Sequence, residues 1–387
     1  MNITHICLAG PMTDGWNYQE NLLAKYHKKM GYQVSVIASR WVYDTDNNLY
    51  KFPEKDYFLA DGIHVIRLEI KNGDNLNNRF KKYLLLYETI EKEKPDILFI
   101  HGCQFLDMKI LAKYAIQHPH VRVFVDNHAD FSNSASNYIS RRILHGIIWK
   151  GCAQCIKPYT EKFYGVLPAR VDFLKEVYKL PEEKVELLVM GVDDEIAASS
   201  LSSEIKKKIR NQHGVLNDDF LIVTGGKIDR AKWQTILLME AVNKVESNKV
   251  KLLVFGSVVP ELKEKVEQQC SPKVKYIGWV SAHDTSNYFA SADLVVFPGR
   301  HSVFWEQVAG LGIPMFVKEW PGTQHVDLGG NVKFIREDSV EEMKNMIEKI
   351  VTNYDEYRTM FDIAQKKGKE IFSYKNIAER AIKSTLC

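Results

Sequence analysis

A glycine-rich, basic turn in the second half of the chain has the composition of a diphosphate-binding site. Gly225 and Gly226 follow a strand-like apolar segment, and Lys227, Arg230 and Lys232 add three cations before the next predicted helix. Glycines let backbone amides approach a ligand closely, and the start of a helix offers unpaired N–H groups and a positive dipole end. The glycine spacing matches neither the dinucleotide fingerprint nor the P-loop. The alternative interpretation is an ordinary basic loop.

A second candidate site follows a later predicted strand. Gly299, His301 and Ser302 stand at the predicted start of a helix, and Glu306 lies one turn inside it. A carboxylate at this place could accept hydrogen bonds from both hydroxyls of a ribose, or it could only favour the positive end of its own helix. Two anion-binding strand ends in one half of the chain together indicate a nucleotide.

Histidines follow two predicted strands in the first half of the chain. The apolar segment 95–100 ends at His101, and the segment 122–125 ends in a polar cluster that contains Asp126 and His128. The carboxyl ends of parallel strands line the ligand crevice of an open α/β sheet. We therefore expect both histidines to lie where the chemistry takes place.

The segments that must position these residues alternate between strands and helices. Residues 3–9 form a strand-like run, residues 17–29 carry apolar positions at helical spacing, and residues 32–38 form a second strand-like run. A strand, a helix and a strand in this order imply a right-handed parallel crossover. The same patterns predict strands at 63–68, 95–100, 122–125, 152–156, 185–193, 220–226, 251–255, 274–277, 294–297 and 313–317, and helices at 77–92, 235–244 and 341–350.

The composition is that of an ordinary globular protein. The 387 residues exceed what one hydrophobic core usually serves, so two domains are expected, and a formal charge of +3 does not indicate nucleic acid as a partner. The first residues lack the features of a secretory signal, and no apolar run reaches the roughly 18 residues of a transmembrane helix, so a cytoplasmic protein is expected. The pair Cys152 and Cys155 is interpreted as reduced core thiols, because a zinc site would need further ligands nearby.

Eight short motifs occur in the order found in one enzyme family. They lie at residues 10–15, 95–101, 125–128, 190–193, 226–232, 274–278, 291–298 and 306–314. Each motif is weak alone, but their collinearity is hard to produce by chance. On these motifs the chain resembles the retaining glycosyltransferases of GT-B fold, glycosyltransferase family 4, over nearly its whole length.

The resemblance implies an α/β architecture of GT-B type, with two facing Rossmann-like domains and an interdomain cleft. It implies an N-terminal acceptor-binding domain at residues 1–197, a C-terminal nucleotide-sugar-binding domain at 198–365, and a C-terminal helix at 366–387 that packs back on the N-terminal domain. The implied activity is retaining transfer of a sugar from a nucleotide diphosphate sugar to a glycan or lipid-linked acceptor, in bacterial surface polysaccharide or glycoconjugate synthesis. The nucleotide sugar is a substrate, and no cofactor or metal is implied.

The resemblance also assigns roles to single residues. It implies that Lys227 and Lys232 hold the donor diphosphate, with Lys227 standing where the family usually has arginine. It implies that Glu306 holds the donor ribose and that His128 lies near the transferred sugar and the acceptor. The other donor-binding positions that it implies are Gly15, Gly226, Arg230, Gly278, Trp279, His301, Ser302 and Val303.

One position departs from the family pattern. The family's first glutamate lies eight positions before the second, and that position is Pro298 here. A carboxylate that would bind the donor sugar is therefore missing, and His301 is the candidate to replace it. Two other functional classes stay open because a fold does not fix a reaction, namely a nucleotide-sugar epimerase or hydrolase and a non-catalytic sugar-nucleotide-binding protein.

Two further features bear on metals and membranes. The Asp-x-Asp sequence from Asp44 to Asp46 lies among turn residues, and we interpret it as a turn rather than a metal site. Residues 136–150 combine isoleucines with Arg141, Arg142 and Lys150. Such a face could lie on anionic lipid and reach a lipid-linked acceptor, or it could pack in the core with a solvated basic edge.

Overall fold

The chain forms two compact α/β units. The computed structural model describes residues 1–44, 48–71, 80–135, 137–282 and 284–383. The first unit comprises Met1–Val189 and Ile377–Cys387, and the second comprises Met190–Asn376. No helix in these described ranges is both long and apolar enough to cross a bilayer.

These bounds differ from the predicted division after residue 197 and the predicted C-terminal segment from residue 366. Residues 190–200 belong to the second unit because they bond to a late segment of the chain. The backbone nitrogen of Val192 donates to the carbonyl of Phe372 at 2.9 Å, and the hydroxyl of Ser373 donates to the Asp194 carboxylate at 2.6 Å.

The first unit is built on an eight-stranded sheet. Its strand order is β10-β9-β8-β7-β1-β2-β6-β5, and all neighbours are parallel except β5, which is antiparallel to β6. A separate hairpin of β3 and β4 follows β2. The strands are β1 (Asn2–Cys7), β2 (Gln33–Ser39), β3 (Trp41–Tyr43), β4 (Leu49–Lys51), β5 (Asp56–Phe58), β6 (His64–Leu68), β7 (Ile97–His101), β8 (Arg122–Asn127), β9 (Thr160–Gly165) and β10 (Val185–Leu187).

The helices of this unit are α1 (Gln19–Lys29), α2 (Leu86–Glu93), α3 (Met108–Gln117), a π-helix (Ser140–Trp149), α4 (Lys150–Ile156), α5 (Pro168–Glu176) and 3₁₀ turns at Lys157–Tyr159 and Glu182–Lys184. The predicted strand at 152–156 is wrong. Cys152, Ala153 and Ile156 are buried at helical spacing, so this segment forms part of α4. The predicted helix at 77–92 lies partly outside the described residues, and its described part begins at Leu86.

The second unit is built on a fully parallel six-stranded sheet with the order β13-β12-β11-β14-β15-β16. Its strands are β11 (Phe220–Gly225), β12 (Val250–Phe255), β13 (Val274–Tyr276), β14 (Leu294–Phe297), β15 (Met315–Lys318) and β16 (Val332–Ile335). Its helices are α6 (Asp194–Ser200), α7 (Ser203–Gln212), α8 (Gln234–Lys244), α9 (Pro260–Gln268), α10 (Thr285–Ser291), α11 (Phe304–Leu311), a 3₁₀ turn (Gln324–Val326), α12 (Val340–Thr352), α13 (Tyr354–Ile363), a π-helix (Ala364–Gly368) and α14 (Lys369–Ile371). Helix α15 (Tyr374–Ala381) ends in the first unit.

Each sheet is covered by helices, which explains its apolar central strands. Strands β7 and β14 are buried along their whole length, as expected of parallel strands with both faces covered. Polar residues in such strands stand out, and His5 in β1 and Asp126 at the end of β8 are both fully buried. The segments that follow β1, β7 and β8 meet at one edge of the first sheet, and those that follow β11, β12 and β14 meet at one edge of the second.

Gly165, at the end of β9, lets the first turn of α5 cross the strand closely. A Cβ atom added at Gly165 would lie 2.3 Å from the backbone nitrogen of Val171. We expect Gly165→Ala to lower the free energy of unfolding by about 1 to 3 kcal/mol, measured by urea denaturation, because the backbone must move apart. Gly151→Ala is the matched control, since nothing lies within 4 Å of its added Cβ and the residue lies inside α4. Equal stability of the two variants would contradict the close approach.

Candidate functional site

The basic turn after β11 places its predicted residues at the carboxyl edge of the second sheet. Gly226 has a positive φ of 121°, which suits glycine. Lys227 and Arg230 are exposed, whereas Lys232, just before α8, is half-buried. The turn therefore carries two solvated cations and one that is partly removed from water.

Lys232 is suited to bind an anion. Burial lowers the pKa of Lys232; Asp229 opposes this shift and Arg300 adds to it. The Lys232 ammonium forms no salt bridge with any described residue, and Asp229 acts on it only through its charge. Removing a cation from water without pairing it is costly, so an anionic ligand would relieve that cost.

Glycines bring three turns of this edge together. A Cβ added at Gly299 would lie 3.0 Å from the Cα of Lys232, and one added at Gly256 would lie 2.0 Å from the carbonyl oxygen of Gly226. The backbone nitrogen of Gly256 donates to the carbonyl of Gly278 at 2.8 Å. The structure thus gathers the predicted residues Gly226, Lys232 and Gly278 beside the loop that precedes α11.

The start of α11 lies against the same turn. The ring of Phe304, its first residue, lies 3.7 Å from the position of a Cβ added at Gly226. Ser302 and Val303 immediately precede that helix, where backbone N–H groups lack helical partners. Trp279, next to Gly278, leaves 73% of its surface exposed.

Glu306, in α11, is fully buried and held by two histidines. Its Oε1 accepts hydrogen bonds from the Nε2 atoms of His301 and His325, both at 2.9 Å. Its Oε2 has no hydrogen-bond partner in the described part of the chain. Burial raises the pKa of Glu306, but the two histidines outweigh burial and hold that pKa well below its usual range. Glu306 is therefore an ionised carboxylate with one oxygen left to accept hydrogen bonds.

Sequence analysis did not identify His325. It lies in the 3₁₀ turn after β15, 19 positions after Glu306, so no local spacing pattern links the two residues. The carboxylate predicted inside this helix was the available signal, because a carboxylate that the fold buries requires donors from elsewhere in the chain.

The same three side chains have the spacing of metal ligands. One ligand atom from each of His301, Glu306 and His325 lies within 4.8 Å of the others. Two histidines and one glutamate form a known ligand set for catalytic zinc. A metal at this place would have to replace both Nε2–H hydrogen bonds to Glu306, because a nitrogen that donates its proton cannot bind a metal.

In the first unit, the glycine-bearing loop 10–15 is anchored by Arg67 of β6. The Arg67 guanidinium donates to the carbonyl of Met12 at 3.1 Å, to that of Ser39 at 3.0 Å and to the Asp14 carboxylate at 2.8 Å. Gly15 itself is exposed, with a φ of 74°. The loop is therefore fixed beside the carboxyl ends of β1 and β2.

His101 at the end of β7 and His128 just after β8 both lie against Asp126. Asp126 is fully buried and its Oδ2 accepts from His101 Nδ1 at 2.8 Å. His128 Nε2 lies 3.5 Å from the same oxygen, and 38% of the His128 side chain is exposed. Burial lowers the pKa of His128, but Asp126 outweighs burial, so that the pKa is raised above its ordinary value.

A row of histidines that sequence reasoning missed continues inward from His101. The Nε2 atom of His101 lies 3.0 Å from His5 Nδ1, and His5 Nε2 lies 3.0 Å from His27 Nδ1. His27 Nε2 donates to the carbonyl of Ala378 at 2.9 Å. We call His27, His5 and His101 the histidine chain. His5 and His27 stand singly in an apolar strand and a helix, where no spacing marks them as a group.

The histidine chain should make stability depend on pH. Burial lowers the pKa of His27 to about 4 and that of His5 well below its usual range. The unfolded chain takes up a proton on each residue near pH 6.5, so unfolding becomes easier as the pH falls from 6.5 towards 4. His27 alone should contribute about 1.4 kcal/mol per pH unit to the slope of the unfolding free energy. Urea denaturation of the wild type and of His27→Gln across this range isolates that slope, and identical slopes would contradict a neutral His27.

Two family models match the chain, one in each half. Residues 21–196 match Glycosyltransferase Family 4, and residues 219–353 match Glycosyl transferases group 1. An uncharacterised glycosyltransferase of Methanocaldococcus jannaschii is 22% identical over 217 residues, which cover 53% of this chain and 55% of that protein. The chain thus spans about half the length of this curated relative.

Solved structures share the fold over nearly the whole chain. A glycosyltransferase from Rickettsia africae superposes with a TM-score of 0.66 at 16% identity, covering 98% of this chain and 96% of that one. HepE from Anabaena, solved in complex with UDP, superposes with a TM-score of 0.65 at 16% identity and covers 98% of both chains. Because its two halves match these two family models and its fold is that of these structures, the chain belongs to the glycosyltransferases of GT-B fold, family 4.

Proposed function

We propose that the protein transfers a sugar from a nucleotide diphosphate sugar to a saccharide or lipid-linked acceptor, with retention of anomeric configuration. The observation that carries this proposal is the half-buried ammonium of Lys232 beside Gly226 and the start of α8. HepE was also solved in complex with UDP-glucose, which supports a nucleotide sugar as the donor.

The second unit would hold the donor diphosphate. Lys232 and the backbone amide of Gly226 contact the phosphate oxygens, and the exposed cations Lys227 and Arg230 add attraction at the same turn. Helix α8 begins at Gln234, so its unpaired N–H groups and positive dipole end favour the same negative charge. These groups are in place before the reaction and need no rearrangement as charge develops.

The rest of the nucleotide sugar would occupy the neighbouring turns. The free Oε2 of Glu306 accepts hydrogen bonds from the ribose hydroxyls, while backbone at Gly278 and the side chain of Trp279 meet the base. His301, fixed by its bond to Glu306, replaces the sugar-binding carboxylate that is missing at Pro298. Backbone N–H groups at the start of α11 complete the donor site, at Ser302 and Val303.

The transfer itself would need few side chains. The bond between the sugar C1 and the leaving phosphate oxygen breaks as Lys232 and the amides stabilise the departing diphosphate. The acceptor hydroxyl attacks C1 from the same face, and its proton passes to a phosphate oxygen, so no covalent sugar–enzyme intermediate forms. His128 and the loop that carries Gly15 present the acceptor, and correct placement supplies much of the rate.

We propose that no metal takes part. The Lys232 turn supplies the positive charge that a divalent ion would otherwise bring to the diphosphate. Of the predicted Asp-x-Asp turn, Asp44 accepts from the backbone nitrogen of Asn48 at 2.8 Å, while residues 45 and 46 lie outside the described residues. In the cluster of His301, Glu306 and His325, both Nε2 atoms donate to Glu306 Oε1, so neither of them is free to bind a metal.

Lys232→Ala should reduce turnover about 100- to 1000-fold, because loss of one preorganised donor to developing charge costs roughly 3 to 4 kcal/mol. Release of UDP from UDP-glucose would be measured with EDTA present, with and without p-nitrophenyl glycosides as acceptors. Lys244→Ala is the matched control, since Lys244 lies at the other end of α8 in an exposed pair with Glu240. If UDP were released at the same rate with and without the acceptor, the protein would instead be a hydrolase. Normal turnover of Lys232→Ala, or activity lost in EDTA, would contradict the mechanism.

We further propose that the protein works at the cytoplasmic face of a bacterial membrane, in surface polysaccharide or glycoconjugate synthesis. Three exposed isoleucines are spaced four residues apart here: Ile139, directly before the π-helix, and Ile143 and Ile147 within it. The exposed fractions of their surfaces are 63%, 47% and 66%. Arg141 and Arg142 lie between them. An exposed apolar stripe flanked by cations suits an anionic lipid surface and would bring the enzyme to a lipid-linked acceptor.

Substitution of Ile143 and Ile147 by aspartate should weaken binding to phosphatidylglycerol vesicles about tenfold or more, because apolar contacts are lost and anionic charge is added. Co-sedimentation with vesicles measures this effect. Ile116→Asp is the matched control, since Ile116 is an isolated exposed isoleucine of α3, with 58% of its surface accessible. Absence of vesicle binding by the wild type would count against the membrane proposal and leave the transfer reaction untouched.

A further inference from the structure

A cavity of about 460 Å³ lies at the amino edge of the second sheet. Small-molecule sites have volumes of about 300 to 1000 Å³, so the cavity is large enough for a ligand. It is enclosed by α7, the start of β11 and the helices α12 and α13. Phe220 in its wall is the first residue of β11, whereas the turn at Gly226 follows the last one. The six residues of β11 span roughly 20 Å, so the cavity is separate from the proposed donor site.

The floor of the cavity is fixed by Arg210 of α7. Its guanidinium donates to the Asp293 carboxylate at 3.0 Å. It also donates to the carbonyls of Leu216 and Asp219, at 3.0 Å and 2.5 Å. The same Asp293 carboxylate accepts from the backbone nitrogen of Leu221 in β11 at 2.8 Å. These bonds join α7, the turn before β11 and the segment before β14, so the cavity is formed before any ligand arrives.

One wall of the cavity is aromatic and belongs to α13. The ring of Tyr357 meets that of Phe220 edge to face, with the ring centroids 5.4 Å apart. The Tyr357 hydroxyl donates to the carbonyl of Asp293 at 3.1 Å, so this ring is held in place. Tyr354 lies one turn earlier on the same face of α13, and 69% of its surface is exposed. Tyr354 therefore offers a flat apolar surface to a ligand in the cavity.

The charged side chains that line the cavity balance one another. They are three cations and three carboxylates, namely Lys206, Lys207, Arg210, Asp218, Asp219 and Asp293. Asp293 is shared by Arg210 and Lys206, at 3.0 Å and 3.4 Å, and Asp218 is paired with Lys249 at 2.8 Å. An anion would meet three carboxylates here, and a cation would meet three positive groups. The balance therefore favours an uncharged ligand.

Polar groups at the rim of the cavity are open to solvent. Ser203, Lys207, Asn217 and Asp218 are all exposed. A lysine ammonium only donates hydrogen bonds and a carboxylate only accepts them, whereas an amide or hydroxyl side chain does both. A ligand hydroxyl both donates and accepts, so it can bond to every one of these groups. A sugar ring combines such hydroxyls at its edge with C–H bonds on its faces, which matches the polar rim and the aromatic wall together.

We propose that this cavity is a second saccharide-binding site, in which an uncharged sugar ring lies on Tyr354 and its hydroxyls bond to the exposed side chains of Lys207 and Asn217. The inference goes beyond the proposed transfer reaction and does not rest on it, because none of these residues belongs to the proposed donor or acceptor sites. The second unit would hold a saccharide at one edge of its sheet and a nucleotide sugar at the other.

Saturation-transfer difference NMR titrations of the full-length protein with maltose, cellobiose and lactose test this site. We expect at least one disaccharide to bind, equally well with and without UDP. Tyr354→Ala should weaken that binding about tenfold, because the apolar face of the sugar loses its contact. Asn217→Ala should weaken it severalfold, because a donor and an acceptor are removed.

Phe58→Ala is the matched control for Tyr354→Ala. Phe58 lies in β5 of the first unit and is also 69% exposed, so its removal deletes an equally accessible aromatic ring. This variant should bind the disaccharide as the wild type does. Thermal melting of each variant should match the wild type, because the substituted side chains are exposed.

The same titrations distinguish a second site from binding elsewhere. Disaccharide binding that is unchanged in Tyr354→Ala, or that UDP abolishes, would overturn the second site. Binding of an uncharged sugar should be equal in low and high salt, since it involves no ion pair with the ligand. Absence of binding by all three disaccharides, or a preference for glucuronate that salt weakens, would overturn the assignment of an uncharged saccharide.

Discussion

The structure depends on carboxylates that are removed from water at the carboxyl edges of its two sheets. A lone buried carboxylate would cost more free energy than a domain has to spare, so each requires donors built into the fold. Asp126 obtains them from His101 and Gln19, and Glu306 obtains them from His301 and His325. In both places the histidines engage one oxygen, and the second oxygen has no partner within the described residues.

Imidazole suits this task because it can donate while remaining neutral. An arginine or lysine at the same depth would bring a permanent charge and a longer side chain to be packed. Because each imidazole has two ring nitrogens, several rings can be connected in series, and the histidine chain extends the support of Asp126 through α1 to a backbone carbonyl. The second unit combines its buried carboxylate with a group of opposite charge, the partly desolvated Lys232 at a glycine turn. Acceptors for hydroxyls and a cation for phosphate therefore lie on the same edge of one sheet.

The sequence was sufficient to predict the architecture and the strand ends, because parallel strands with both faces covered leave continuous apolar runs. It also predicted His128 directly after a strand and Glu306 in the first turn of the helix that follows β14. It was misleading at residues 152–156, where a short apolar run fits a strand and a helix equally well, and it missed β9 and β16. The partners His5, His27 and His325 could not be predicted, because they come from distant elements and share no spacing with the residues that they contact. Asp126 was recognised only as part of a polar cluster. That its Oδ2 accepts hydrogen bonds while its Oδ1 has none is a property of the folded arrangement.

The bond from His27 to the carbonyl of Ala378 joins an early helix of the first unit to one of the last described helices of the chain. During synthesis on the ribosome, the residues of the first sheet emerge long before residue 378 is made. The nascent first unit must therefore pass through a stage in which the innermost imidazole lacks its terminal acceptor. Complete ordering of the polar interior of that unit must therefore wait until residue 378 has been made, and the whole second unit precedes that residue in the chain.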